Sequence, residues 1–279
     1  RFVTTFHGTY NLGPFAIKRA YNAVMTRGER VIAISGFIAE HMQAIYGVDP
    51  TRIRVIPRGI DIDRFDPATV NPRRMIALAQ EWRLDDGVPV LMLPGRLTRW
   101  KGHAVLIEAL ARLSRRDVRC LLVGDDQGRV RYRRHIEALV KRHGLGGMVH
   151  IVDHCNDMGA AYMLTDVVVS ASTDPEAFGR VSVEAQAMGR PVIATRHGGS
   201  QETVQDGTTG WLVPPRDPEA LGEAITRVLA LTPEERLQLA VRQRAHVCAN
   251  FTKRTMCERT LGVYQELLYE TQKTEVFAE

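Results

Sequence analysis

Much of what would mark a membrane-spanning, disulfide-rich or metal-binding chain is scarce in this 279-residue sequence. Its longest apolar runs, at residues 88–93 and 166–171, are strand-sized, far short of the roughly 20 residues a bilayer-crossing helix needs. Four cysteines, at positions 120, 155, 248 and 257, form no CxxC pair, and the first two lie in or beside apolar segments, the usual place of a small buried thiol. They read as reduced thiols of a cytoplasmic protein. There is no low-complexity tract and no repeat at a fixed period. No charged segment followed by an apolar stretch opens the sequence; residues 1–6 read as a β-strand. Because that strand begins at residue 1, with no initiator methionine, the sequence is expected to be a fragment lacking its first strands.

What is present is an ordinary globular composition, 44% hydrophobic and 25% charged, with length for one large or two smaller domains. The net charge of +5 favours anionic partners without naming one. Residues 1–80 hold eleven Lys and Arg against six acids, a difference equal to the whole excess. A nucleotide diphosphate, nucleic acid and an anionic membrane surface all remain compatible with that charge, and the basic N-terminal region makes the membrane reading worth carrying.

From residue 88 onward, short β-branched runs alternate with helical periodicity. Strands are expected at 88–93, 118–123, 148–152, 167–170, 191–195 and 211–213, with helices at 102–113, 130–143, 158–164 and 180–188 and a short one after Gly199. Six strands with covering helices make a doubly wound parallel sheet. Residues 1–56 repeat the pattern in brief, with strands at 2–6, 31–34 and 53–56 and helices at about 15–25 and 37–46. Three strands leave an open edge and a thin core. Pro57, Asp66-Pro67 and Asn71-Pro72 read as turns and a hinge between the blocks. After the capping pattern at Thr232-Pro233-Glu234-Glu235, helices run to about 247 and over 253–269.

The residues that could carry chemistry begin with Glu176 and Glu184, which flank Phe178-Gly179 at an expected helix start. Free amides at a helix N-terminus attract an anion, and two carboxylates beside it can accept sugar and ribose hydroxyls. Spacing alone leaves two solvated acids as an equal reading. Upstream and downstream stand Gly95-Arg96-Leu97 with Lys101-Gly102, Gly124-Asp125-Asp126, and Gly198-Gly199 followed by Glu202. Phe6-His7-Gly8, Ile34-Ser35 and Ile56-Pro57-Arg58-Gly59-Ile60-Asp61 extend the pattern over nearly the whole chain.

In this order the motifs resemble those of the retaining, glycogen-synthase-like glycosyltransferases of family four, which have the GT-B architecture. The resemblance implies an α/β fold of two Rossmann-like doubly wound domains, the N-terminal one incomplete. It places an acceptor-side part at 1–60, a donor-binding domain at 61–251 and a C-terminal helix at 252–279 returning toward the first part. It implies a nucleotide-sugar donor and a glycan or lipid-linked acceptor, in cell-envelope glycan or lipopolysaccharide synthesis at the inner membrane face, with no nucleic-acid partner. By the same resemblance Arg96 and Lys101 neutralise the donor diphosphate, a task suited to a fixed guanidinium fork and a compact ammonium, so that neither metal nor cofactor is required. Glu184 binds the ribose and Glu176 the donor sugar or its phosphate. Backbone amides around Phe178, Gly179 and Val181 hold sugar and diphosphate, Gly95, Gly198 and Gly199 shape the donor loops, and His7 sits at the cleft. Retention is expected through a same-face, oxocarbenium-like transition state, the leaving diphosphate being stabilised electrostatically. Arg58 departs from the asparagine common at its position. A nucleotide-sugar-binding module without turnover, and a GT-B epimerase, remain alternatives.

Three further signals are set aside. Asp61-Ile62-Asp63 has a D-x-D form but lies in the expected hinge turn. His150, His154 and Cys155 straddle a strand end rather than one face suited to zinc. Arg129, Arg131, Arg133 and Arg134 read as a solvated helix face, with no nucleic-acid motif beside them.

Overall fold

The computed structural model describes residues 1–10 and 16–276. Its first block runs β1 (Val3–Phe6), α1 (Ala16–Ala23), β2 (Arg30–Ala33), α2 (Gly36–Tyr46) and β3 (Ile53–Val55). These strands form a parallel sheet in the order β1-β2-β3. The expected start of α1 at Phe15 lies outside the described residues.

The second block continues with α3 (Pro72–Glu81), β4 (Val90–Pro94), α4 (His103–Arg112), β5 (Arg119–Val123), α5 (Val130–Arg142), β6 (Val149–Val152), α6 (Met158–Met163), β7 (Val167–Ser170) and α7 (Arg180–Ala187). It closes with β8 (Val192–Thr195), α8 (Ser200–Thr203), β9 (Trp211–Val213), α9 (Pro218–Leu229), α10 (Pro233–Asn250) and α11 (Lys253–Val276). Two helices depart from the sequence expectation. Asn71-Pro72, read as a hinge turn, is instead the cap and first residue of α3: the Asn71 side chain accepts from the Arg73 amide, and proline is favoured at a first helical position, where its missing N–H has no helical partner to lose. α9 starts in the same way at Asp217-Pro218 and was not expected at all.

The six strands of the second sheet are all parallel and ordered β6-β5-β4-β7-β8-β9. The order reverses direction between β4 and β7, and in open α/β sheets ligands bind outside the carboxyl ends of the strands at such a switch point. Both faces are covered, so each strand is apolar on both sides. Along β4, Leu91 and Leu93 join a core with Leu106, Leu110, Ile136 and Ile225 from α4, α5 and α9. Val90 and Met92 join the opposite core, with Tyr162 and Val183 from α6 and α7. That second core is continuous with Phe6, Val31, Ile38 and Met42 of the first block.

The chain crosses between the blocks twice, and the crossings pair: the Ile60 amide donates to the Phe251 carbonyl at 2.8 Å and the Lys253 amide to the Ile60 carbonyl at 2.9 Å. α11 then packs on the three-stranded sheet, with Val263 against Ile32 and Ile56 and Glu266 accepting from Arg30 at 2.8 Å and from Arg54 Nε at 3.0 Å.

Candidate functional site

The loops leaving β4 and β7, on either side of the switch point, face the exits of β1, β2 and β3 across a cleft of about 450 Å³, a volume in the usual range for small-ligand sites. His7, Gly95, Arg96, Lys101, Glu176, Phe178, Gly179, Val181 and Glu184 all line it. Of the residues singled out from sequence, Gly198 and Gly199 do not reach the cleft surface. They back the Glu176 loop: the Gly199 amide donates to the Glu176 carbonyl at 2.8 Å, and Gly198 has φ of +57° with the Glu176 carbonyl where a Cβ would stand. A side chain there would push the loop off its seat.

Glu176 is held from two sides. Lys101 Nζ and Ser172 Oγ both donate to its Oε1, each at 2.6 Å, and the Lys101 and Glu176 side chains are 14% and 12% exposed. Lys101 also lies 4.3 Å from the centre of the Trp100 ring, a favourable cation–π position. Without a ligand the ammonium is therefore already paired. Arg96, on the exposed rim, has no side-chain partner among the described residues, and neither does Arg58 on the facing wall.

Glu184 lies one turn into α7 and is 8% exposed. Its Oε1 accepts from Arg180 at 2.9 Å and its Oε2 from the Tyr162 hydroxyl at 3.0 Å. Burial first, and the neighbouring Glu184 charge second, push the Tyr162 hydroxyl well above its ordinary pKa, so it remains a proton donor to the carboxylate. Gly179 caps α7 with φ of +91° and no capping side chain, a conformation glycine adopts without steric cost. The first amides of α7 thus face the cleft without side-chain acceptors, an arrangement suited to an anion. Phe178 is itself buried, its ring edge-on to Phe251 at 5.6 Å, so it contributes backbone and support rather than a cleft-facing ring.

His7 follows β1 and stands on the exposed side of the cleft. Partial burial, and then the positive charge of Arg58, lower its pKa from the ordinary 6.5, which favours the neutral ring. Arg58 was visible in the sequence only as a departure in a turn; the folded chain brings it into the cleft. Ser172 and Tyr162, which orient the two carboxylates, carry no local sequence signal, whereas the Arg180–Glu184 pair has the i,i+4 spacing of a helical ion pair.

The motifs set aside are otherwise engaged. Asp61 accepts from the Asp63 and Arg64 amides, His154 meets Asn156 at 2.9 Å, and Arg133 pairs with Asp153 at 2.6 Å. No helix among the described residues is long and apolar enough to cross a membrane.

Two facing parallel α/β blocks, with cations, carboxylates and a helix N-terminus gathered at a switch point, define a protein of the GT-B fold. The chain belongs to the glycosyl transferases group 1 family, whose profile matches residues 76–246, and residues 1–64 match the profile of glycosyltransferase family 4. It is 36% identical to a glycosyltransferase from Rickettsia africae, with a TM-score of 0.88 over 95% of this chain and 70% of that one. It is 26% identical to Anabaena HepE crystallised with UDP-glucose, with a TM-score of 0.85 over 95% and 72% of the two chains. Curated relatives include the D-inositol 3-phosphate glycosyltransferases of Xylanimonas cellulosilytica, 33% identical over 74% of this chain and 50% of the relative, and Salinispora arenicola, 33% identical over 91% and 58%. The chain thus spans about half the length of the curated relatives it matches.

Proposed function

We propose that this chain forms the donor-binding part of a retaining glycosyltransferase that moves a sugar from a nucleoside diphosphate to a lipid-linked or saccharide acceptor in cell-envelope glycan synthesis. The observation that carries the reading is the charge pattern of the cleft. Four cations, Arg58, Arg96, Lys101 and Arg180, meet two carboxylates that are already paired with Lys101 and Arg180. Two positive charges are left over at Arg58 and Arg96, which suits a diphosphate bridge.

In this reading Arg96 engages the diphosphate first, and Lys101 turns from Glu176 toward it as Glu176 accepts hydroxyls of the donor sugar. Glu184, fixed by Tyr162 and Arg180, accepts the ribose hydroxyls. The amides around Gly179 and Val181 hold phosphate oxygens, and charge developing on the leaving diphosphate is stabilised by these preoriented groups without a metal. Neutral His7 approaches the donor sugar from the opposite wall. The basic first block and the exposed Ile17 and Tyr21 beside Lys18 and Arg19 on α1 support contact with an anionic membrane surface. The names of the curated relatives add a phosphorylated polyol to the acceptors worth assaying.

The test is calorimetric. Because HepE crystallises with UDP and UDP-glucose, UDP is the first probe, followed by a thermal-shift panel of UDP-, GDP- and ADP-sugars. Lys101→Ala and Glu184→Ala each remove a charged contact and should weaken binding by about tenfold or more, with chelator making no difference. Unchanged affinity in both variants would remove the site assignment. Binding without transfer in this chain, with transfer in a longer one, would identify it as a donor module only.

A further inference from the structure

One contact between the two blocks lies outside the donor cleft and ties the cleft's walls together. Helix α2 starts at Gly36, with Ser35 as its cap: Ser35 Oγ accepts from the Ile38 amide at 3.1 Å and donates its own proton to the Ala177 carbonyl, in the Glu176 loop, at 2.6 Å. The next two amides, of Gly36 and Phe37, donate to Oε2 and Oε1 of Glu202, each at 2.8 Å. A carboxylate from α8 in the second block thus completes the N-terminus of a helix in the first, where negative charge is favoured. Glu202 is tied in turn to the loop that seats Glu176, since its amide donates to the Gly199 carbonyl at 3.1 Å while the Gly199 amide holds the Glu176 carbonyl. On the other side, the register Phe6↔Ala33 sets His7 beside Ile34 at the strand exits, immediately before Ser35.

We propose that Glu202 is a positioning residue: by capping α2 it fixes the wall carrying His7, Ile34 and Arg58 against the wall carrying Glu176. This rests on the glycosyl-transfer reading above. Of the groups assigned to the nucleotide, Arg96, Lys101, Glu184 and the amides around Gly179 and Val181 lie in the second block, and Arg58 faces them from the first, so loss of the Glu202 contact weakens nucleotide binding only modestly and misaligns the transfer step. A misplacement of about 1 Å costs on the order of a hundredfold in rate.

The experiment compares wild type with Glu202→Ala, Glu202→Gln and Ser35→Ala. Hydrogen exchange at the Gly36 and Phe37 amides, which Glu202 holds, and at the Gly199 amide, which holds the Glu176 carbonyl, should accelerate in Glu202→Ala. UDP affinity should fall by no more than about fivefold, the share of Arg58 alone, and kcat for transfer should fall between ten- and a hundredfold. Glu202→Gln, which keeps one neutral acceptor in place, should fall between the two, and it serves as the test variant if the alanine form does not fold. A lowered melting temperature with wild-type kcat would reduce Glu202 to a helix cap and overturn the proposal. So would acceleration confined to Gly36 and Phe37, with Gly199 exchanging as in wild type. If this chain transfers no sugar, kcat is read in a longer one, and the glycosyl-transfer reading fails if that also transfers none; spread of exchange from α2 to the Gly199 amide still decides whether Glu202 joins the two walls.

Discussion

His103, the first residue of α4, is fully buried, and neither ring nitrogen makes a hydrogen bond of good geometry among the described residues. Burial lowers its pKa from 6.5 to about 4, opposed by the nearby Thr98 backbone and aided by the Lys101 charge. The folded value is below the unfolded one, so as pH falls the unfolded chain takes up the proton first. This contribution to stability is intact above about pH 7 and is lost between roughly 6.5 and 4, up to about 3 kcal/mol in all. Thermal melts at pH 7.5 and 5 should therefore differ more for wild type than for His103→Leu, which has no proton to gain; equal shifts in both would contradict the assignment. Nothing in the sequence around Gly102-His103 announced a buried neutral imidazole. The local pattern supplied a helix start, while the packing that strips water from the ring comes from residues distant in the chain, including Tyr132 of α5, 5.9 Å away.

At the scale of the element, Gly102 sets where α4 begins. It has φ of +75° and sits where a Cβ would overlap the Ala171 carbonyl, just beyond β7. Gly102→Ala must either strain the left-handed backbone, which costs about 1–3 kcal/mol, or separate the β4 and β7 loops, dragging Lys101 away from Glu176. Its urea midpoint should fall and its affinity for UDP with it; a variant with wild-type values in both would show that the two loops are not rigidly coupled. The strands and α7 were legible because β-branched runs and turn residues are local signals. α3 and α9 were less legible because Pro72 and Pro218 read equally well as breakers and as first helical residues, and the side-chain cap that decides between them is a matter of geometry. The motif residues of the cleft were legible as a set through their order along the chain, which resembles that of the family; most lie in loops at the carboxyl ends of strands, with Val181 and Glu184 in α7. Tyr162 and the cleft position of Arg58 were not, because each acts on a residue distant in sequence; Ser172, four residues before Glu176, was not because an irregular loop has no periodic signal to aim its hydroxyl.

For the whole molecule, the paired crossings at Ile60 and Phe251–Lys253 and the packing of α11 add to the shared core and the Ser35 and Glu202 bonds in joining the two blocks. Glu266 joins Arg30 of β2 and Arg54 of β3, and its carboxyl is held below the ordinary range by Arg54 first and Arg30 as well. Glu266→Ala should cost about 1–2 kcal/mol, speed hydrogen exchange at Val263 and Leu267, and differ less from wild type in 1 M salt, where exposed charges are screened. A salt-independent difference would point to lost packing instead. The sequence by itself determined the parallel α/β class and the six strands of the larger sheet, because alternation is written in neighbouring positions; the residues expected at the cleft came from the order of motifs resembling the family, spacing alone leaving Glu176 and Glu184 open. Only the tertiary structure decided that Lys101 is paired with Glu176, that Arg58 and Arg96 have no side-chain partner among the described residues, and that Glu202 caps a helix in the other block. Those pairings depend on side chains brought together by chain crossings, and Coulomb and hydrogen-bond energies depend on distance in space rather than in sequence.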